Sequence, residues 1–338
     1  MTAVTGQRAR RDLGTLTRRW ARRRGWTAGV WVLMFLLVGW YATLIPHFGT
    51  FQVASIVKNS LPTVYLALAQ AVVVISGGVD LGVGALMVLS NSVSALLMEG
   101  QPFWMTLVIA VAVVAGAAVL NGLVGLIVVL SRIPDIVVTL ATLFIFTGIA
   151  LMVLPSPGGG TSGGLRYIFT GSTTGVGDNF WPSMVALAIP SIALAAWLTR
   201  TREGLSIYAV GSDDNAAFLS GVSIRRAKVA AYAAAGAFAG LAGVALTAIA
   251  NSGDPRFVNA INGTLNSLAA VVLGGIVLGG GAGSVIGAVA AGIILFTLNP
   301  ILTAMSVDPN TAQVIRGVLI VAVMMVAGLL ELRRRRIQ

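Results

Sequence analysis

The side chains that most often carry chemistry are scarce in this chain. It has one histidine, His47, and no cysteine. The side chains needed for a histidine–cysteine metal site or for a histidine-activated nucleophile are therefore almost entirely missing. A Walker phosphate-binding loop requires a lysine directly after glycine, but Lys58 follows Val57 and Lys228 follows Ala227. We therefore expect no catalytic residue, no metal site and no ATP hydrolysis by this chain.

Carboxylates inside a membrane often belong to proton or ion relays. Asp80, Asp135 and Asp254 fall near predicted helix ends, so the sequence indicates no buried carboxylate relay. Uncharged polar side chains are the remaining candidates for a solute path, although each can also bond a neighbouring helix. The candidates are Asn91, Asn121, Thr139, Thr142, Asn266 and Asn299.

The composition predicts an all-α, polytopic membrane protein. Of 338 residues, 57% are hydrophobic and 10% are charged, whereas a soluble domain has roughly 25% charged residues. A membrane helix needs about 20 mostly apolar residues, and glycines at 279–284 divide the longest apolar run in two. About ten membrane helices follow, in the runs 28–45, 59–79, 81–98, 103–131, 136–154, 179–199, 229–253, 257–307 (two helices) and 311–330.

The basic residues predict the orientation of these helices. Three segments hold 17 of the 22 lysines and arginines: an amino tail at 1–27, a loop at 200–228 and a carboxyl tail at 333–338. Ten helices place all three on one side, and positive residues favour the cytoplasm. We therefore expect both termini inside, a permease domain at 28–332 and an external loop at 155–178. The net charge of +11 then reflects topology and attraction to anionic membrane lipid, not nucleic acid.

A polar insert, GSDDNAAFLSGVSIRRAK at 211–228, interrupts the apolar runs. Ser212 or Asp213 is a suitable helix cap, and Gly221 is suited to end the helix in a left-handed conformation. A helix of barely two turns is marginal in water, so we expect it to be ordered by docking. The alternative is a plain cytosolic loop that lies against its own protein.

Two glycine-rich segments resemble one another at an offset of 197 residues. ISGGVDLGVGAL begins at Ile75 and VLGGIVLGGGAG begins at Val272. We interpret them as corresponding turns of two structural repeats, an arrangement found in many transporters. Gly236 and Gly240 form a GxxxG pattern, which is typical of close helix packing in lipid.

Five segments in order resemble the permease subunits of ribose-type ABC importers, a family that includes xylose, galactose, autoinducer-2 and, more distantly, branched-chain amino acid permeases. The resemblance runs from about residue 30 to residue 332. The segments are VISGGVDLGVGAL, NGLVGLIVVLSRIPDIVVTLATLFIFTGIAL, TREGLSIYAVGSDDNAAFLSGVSIRRAKVAAY, AVVLGGIVLGGGAGSVIGA and QVIRGVLI. Asp135, Gly82 and Leu205 depart from the family pattern, which bears on the substrate more than on the family.

The resemblance implies a role for the polar insert. In such importers a cytoplasmic coupling helix of the permease fits a groove on a separate ATPase subunit. Here the matching residues are Asp213, Asp214, Asn215, Ala216, Ala217, Phe218, Leu219, Ser220 and Gly221. We expect Ala217→Arg or Gly221→Pro to stop uptake while the protein stays folded.

The resemblance also implies the assembly and its location. We expect a multi-pass protein of the bacterial inner (plasma) membrane, in which a pair of permease subunits, identical or not, imports a sugar or related small polar solute. The other partners are ABC ATPase subunits, which would hold ATP and magnesium, and an external solute-binding protein that sets selectivity over a weakly binding path. The alternative is a secondary carrier or channel.

Overall fold

The computed structural model describes residues 25–308, 310–315, 317–318, 321–322 and 325. The described residues form helices joined by turns, without β-strands beyond one isolated bridge between Gly158 and Gly253. The helices are α1 Gly25–Leu44, α2 Thr50–Ile75, α3 Val83–Met98, α4 Phe103–Ser131, α5 Asp135–Val153, α6 Gly163–Thr170, α7 Trp181–Arg200, α8 Arg202–Ser212, α9 Asp214–Leu219, α10 Ile224–Ala250, α11 Phe257–Leu273 and α12 Val285–Ala304.

Seven of these helices are long and apolar enough to cross a membrane, namely α1, α2, α4, α5, α7, α10 and α12. Two shorter apolar helices, α3 and α11, have 16 and 17 residues. The predicted all-α membrane fold is confirmed. The predicted tenth helix, 311–330, lies partly outside the described residues. Its described part at 310–315 is helical. The predicted tails also lie outside them, except for 25–27, which begin α1.

The loops meet in two groups, one at each end of the helix bundle. At one end, which we call the inner end, the turn at 76–82 contacts the turn at 274–284 and the end of α8, because Gly281 N–H donates to Ile75 O (2.9 Å). At the other end, the outer end, Gly158 and Gly253 exchange two backbone bonds. The end of α8 and Gly158 thus lie at opposite ends of the bundle. That 200–228 is cytoplasmic and 155–178 external stays a prediction.

Small residues bring the central helix α10 close to α4. A Cβ at Gly236 would lie 2.3 Å from Ala117 O, and one at Gly240 would lie 2.9 Å from Ala117 Cβ. Lipid supplies little hydrophobic force between helices, so such close contact is a main source of packing energy. The GxxxG pattern is therefore explained by packing within the chain.

The two inner turns, which we call the first glycine turn (76–82) and the second glycine turn (274–284), begin with the same backbone motif. In the first, Gly77 has φ +84° and the N–H groups of residues 77 and 78 donate to the carbonyls of 74 and 73. In the second, Gly275 has φ +85° and residues 275 and 276 donate to 272 and 271. Both are Schellman caps, which favour glycine at the left-handed position.

The matching positions of these caps differ by 198 residues, for example Gly77 and Gly275, one more than in the sequence comparison. The two segments therefore share the motif that ends the preceding helix, but the structure aligns them at an offset of 198 residues and not at the predicted 197. The second glycine turn is also longer, because α3 begins at Val83 and α12 begins at Val285.

We expect Gly236→Ala to destabilise the protein by about 1–3 kcal/mol, because the new methyl would overlap Ala117 O and force α10 away from α4. Thermal unfolding in detergent would show a lower Tm. Gly116→Ala on α4 is the matched control, since a Cβ there has nothing within 4 Å. Equal Tm values for the two variants would contradict this account of the α4–α10 contact.

Candidate functional site

The polar insert at 211–228 lies at the inner end and comprises the last two residues of α8, the six-residue helix α9 and the first turns of α10. Of the two predicted caps, Asp213 caps α9, and its Oδ1 accepts from Ala216 N–H (2.9 Å). Gly221 has φ +80° and Val222 N–H donates to Ala217 O (3.0 Å), which completes a Schellman cap at the carboxyl end. Both ends of a very short helix are therefore fixed by local bonds.

The two sides of α9 have different environments. Ala217 is 4% exposed and belongs to the main hydrophobic core, whereas Phe218 is 68% and Leu219 is 84% exposed. Lys228 Nζ at the start of α10 lies 3.8 Å from Asp214 Oδ2. The other residues proposed for coupling are exposed, namely Asp213, Asp214, Asn215, Ala216, Ser220 and Gly221. An apolar tip on a docked helix is the arrangement expected of a surface that another protein covers.

The burial of Ala217 changes one prediction from the sequence. The expectation that Ala217→Arg leaves the protein folded is wrong on physical grounds, because an arginine side chain there would have to displace α9 from the core. Phe218 and Leu219 form the exposed apolar surface instead.

Gly211, two residues before the cap of α9, holds this segment against both glycine turns. A Cβ at Gly211 would lie 1.9 Å from Ile75 O and 2.7 Å from Gly281 N, so three backbones meet where no side chain fits. Tyr208 Oη also donates to Gly283 O (3.0 Å). The end of α8 is thereby fixed to the end of α2 and to the turn that precedes α12.

Behind the first glycine turn lies a set of bonded side chains, which we call the inner polar cluster: Asp80, Asn121, Asp135, Thr139 and Tyr232. Four of them are buried and Asp135 is half-buried. Asn121 Nδ2 donates to Asp80 Oδ2 and to Tyr232 O, both at 2.9 Å. Tyr232 Oη donates to Asp135 Oδ2 (3.2 Å), and Thr139 Oγ1 donates to Asp135 O (2.8 Å) and Val79 O (3.3 Å). The cluster thus joins α4, α5 and α10 to the turn.

Asp80 itself is fully buried. The sequence placed Asp80 near a helix end, where it lies, since α3 begins at Val83, but its burial was not predicted. That the chain has no buried carboxylate relay stays a prediction. The first glycine turn folds back among the helices, where Gly82 N–H donates to Asp80 Oδ1 (2.8 Å). Irregular backbone at membrane depth is tolerated where it is buried in protein in this way.

A groove of about 1020 Å³ separates α9 from the junction of α4 and α5. Arg132, Arg225 and Lys228 line it together with Asp135 and Asp214. Among the residues that the structure describes, none covers the tip of α9 on this side, which leaves space for another protein at the inner end.

Four of the six path candidates have structural bonds. Asn91 is fully buried, donates to Thr247 Oγ1 (2.8 Å) and accepts from Asp254 N–H (2.8 Å), which ties α3 to the outer loop before α11. Asn121 and Thr139 belong to the inner polar cluster. Thr142 Oγ1 bonds its own helix at Thr139 O (2.8 Å). In contrast, Asn266 and Asn299 are half-buried, and their side chains have no hydrogen-bond partner among the described residues.

The outer end contains a cleft of about 420 Å³ between α2, α3, α10 and α11, which we call the outer cleft. Asn91 and Asn266 line it, as do Asn259, Asn262 and Asp254. The side chain of Arg256 donates to both oxygens of Asp254, and these hydrogen bonds hold the pKa of Asp254 below its usual range. Asp254 is therefore an ionised but paired carboxylate at the entrance.

Within the described part of the chain, no group of three or more histidine, aspartate or glutamate side chains is placed to hold a metal ion. The arrangement offers an exposed helix at one end and a polar cleft at the other. Both features suit passage of a solute and contact with partners.

The residues of the chain match one protein-family model. The model is described as "Branched-chain amino acid transport system / permease component" and covers residues 52–324, more than half of the chain. The chain belongs to this family. It is a permease component, and its helices place it in the inner membrane as a multi-pass protein.

Several curated relatives resemble the permease over most of their length. A ribose import permease protein of Bacillus subtilis is 28% identical, with 86% of this chain and 89% of that protein covered. A D-allose transport system permease protein of Escherichia coli K12 is 29% identical (87% and 89% covered). A fructose import permease protein of Bifidobacterium longum is 26% identical (83% and 87% covered). No solved structure shows significant similarity to the permease.

The sequence did not predict the inner polar cluster around Asp80 in the permease. Asn121, Asp135 and Tyr232 come from three helices and lie at least 41 residues from Asp80 along the chain, so spacing does not reveal them. The indirect signal was the glycine content of the turn, because a Cβ at Gly78 would lie 2.4 Å from Asp135 Oδ2.

Replacing Asn121 by leucine should destabilise the permease by about 2–3 kcal/mol, because it removes the bonds to the buried carboxylate of Asp80 and to Tyr232 O. Thermal unfolding in detergent would detect this as a lower Tm. Asn299→Leu is the control, since Asn299 has no side-chain partner among described residues. A Tm for Asn121→Leu as high as that of the control would refute the assigned role.

Proposed function

We propose that the permease imports a sugar or related small polar solute and takes the energy for this from separate ABC ATPase subunits that contact α9. A pair of permease subunits forms the path, and an external solute-binding protein delivers the solute. ATP and magnesium belong to the ATPase partners. The relatives are import or transport permeases for ribose, D-allose and fructose, which supports the substrate class.

The observation that carries the proposal is the exposed tip of α9. Phe218 and Leu219 project from the inner end, while Ala217 on the opposite side is buried. Large exposed apolar side chains outside the membrane are costly unless a partner covers them. The caps at both ends keep the tip in one conformation, so a partner that binds it loses little ordering entropy.

The backbone junction at Gly211 supports transmission of movement from α9 to the membrane helices. Its contacts with Ile75 and Gly281 are backbone contacts, which cannot lengthen by a change of rotamer. A displacement of α8 and α9 is therefore passed to the end of α2 and to the turn before α12. Closure of two ATPases on ATP binding supplies such a displacement.

We expect the double substitution of Phe218→Ala with Leu219→Ser to reduce import and solute-stimulated ATP hydrolysis at least tenfold in the assembled transporter. Both side chains are exposed, so the variant should keep the Tm of the wild-type protein. Leu205→Ser is the matched control, because Leu205 is a 55% exposed leucine of α8 outside the tip. The measurement is sugar uptake and phosphate release in proteoliposomes.

Gly221→Pro extends the test to the carboxyl cap of α9. Proline fixes φ near −65° and cannot adopt the +80° of Gly221, so the tip would be misaligned and coupling lost. Normal import and ATP hydrolysis in the double variant would end the coupling proposal. Uptake that persists when ATP is depleted under a maintained ion gradient would instead identify a secondary carrier or channel.

A further inference from the structure

The outer cleft contains polar side chains that the fold itself does not use. Thr63 on α2 and Asn262 and Asn266 on α11 line the cleft, and none of these three side chains has a hydrogen-bond partner among the described residues. Asn262 and Asn266 are four residues apart and lie on one face of α11. They contrast with Asn91, whose amide is fully bonded at the back of the same cleft.

The exposure of these amides indicates what they face. Asn262 is exposed and Asn266 is half-buried in α11, a short apolar helix of 17 residues. An unpaired amide in contact with lipid tails loses its hydrogen bonds to water without replacement, which costs several kcal/mol. This face of α11 is therefore in contact with water or with a polar solute, as the wall of a passage is.

The chemistry of the lining selects one class of solute. An asparagine amide offers both donors and acceptors, and a threonine hydroxyl offers the same on one atom, so the three side chains complement hydroxyl groups. Leu66, Met87 and Leu246 add an apolar wall, which suits the C–H face of a sugar ring. The volume of about 420 Å³ lies within the range of small-molecule sites.

Charge in the cleft argues against an amino acid as the solute. Among the residues that line it, Asp254 is the one charged side chain, and both of its oxygens are bonded by Arg256. A zwitterionic solute needs groups that replace the hydration of both its charges, and the described lining offers no free charged side chain for this. A neutral solute makes no such demand.

We propose that the outer cleft is a weak binding subsite for a neutral polyhydroxylated solute, held by Thr63, Asn262 and Asn266. The inference rests on the proposed function, because it assumes that the permease passes a solute. It narrows that function to sugars or polyols and locates their contact with this chain at the face of α11 that carries the two asparagines.

The first test is transport by the assembled transporter in proteoliposomes, with D-ribose, D-allose, D-fructose and L-leucine as probes. We expect a sugar and not leucine to be imported, and the double substitution of Asn262→Leu with Asn266→Leu to lower import at least tenfold while ATP hydrolysis is retained. Asn59→Leu, at a half-buried asparagine of α2 that does not line the cleft, is the matched control and should import normally. Normal import by the double variant, or import of leucine alone, would overturn the inference.

The second test needs no transport, and it uses the absence of cysteine from the sequence. Asn262→Cys and Asn266→Cys should react with a membrane-impermeant cationic thiol reagent added from outside, and the imported sugar at millimolar concentration should slow the reaction. Val111→Cys, on a 70% exposed residue of α4 that we expect to face lipid, should not react. Failure of Asn266→Cys to react would overturn the inference.

The two proposals fail in different ways. If the wild-type transporter hydrolyses ATP but imports none of the probes, the proposed function is refuted, whatever the result of the cysteine labelling. Wild-type protein that imports a sugar, combined with unreactive cysteines or a normal double variant, would remove the subsite and leave the proposed function intact.

Discussion

The inner end of the permease depends on one contact among backbones, at Gly211. Ile75 ends α2, and its carbonyl accepts from Gly281 N–H directly above the place where a side chain of residue 211 would lie. Each polar backbone group in a membrane protein must find a partner inside the protein, and here the two glycine turns satisfy one another. Because the end of α8 closes over this bond, the orientation of α9 is determined by the same groups that end the membrane helices.

This arrangement explains why the short helix has a fixed position although it is too short to be stable alone. Asp213 and Gly221 provide bonds at its two ends, and Ala217 places its middle in the core. Docking therefore leaves Phe218 and Leu219 as a preformed apolar surface. A preformed surface is useful for a mechanical connection, since a partner that moves it does not first have to order it.

The sequence predicted the helices well where apolar runs were long and erred where charge interrupted them. The run at 59–79 began after Lys58, but α2 begins at Thr50, because Lys58 lies within the helix and its Nζ donates to Gly175 O (2.7 Å). The run at 229–253 began after Lys228, but α10 begins at Ile224 and contains that lysine in its second turn. A cation near a helix end is tolerated when its head reaches a partner or the surface, and a search for uncharged runs cannot include this.

Spacing in the sequence revealed the polar insert and its caps, because a capped helix is a local object. It did not reveal the inner polar cluster, because Asn121, Asp135 and Tyr232 meet Asp80 only after three helices have packed. For the same reason the sequence treated Asn91 and Asn266 as equal candidates for the solute path. In the fold the Asn91 amide both donates and accepts hydrogen bonds, whereas the Asn266 side chain has no partner among the described residues. The bonded polar groups gather at the inner end and at the back of the cleft, where the helices must hold their relative positions. In the proposed subsite the open amides of Asn262 and Asn266 share one face of α11, where water or a hydroxylated solute takes the place of lipid.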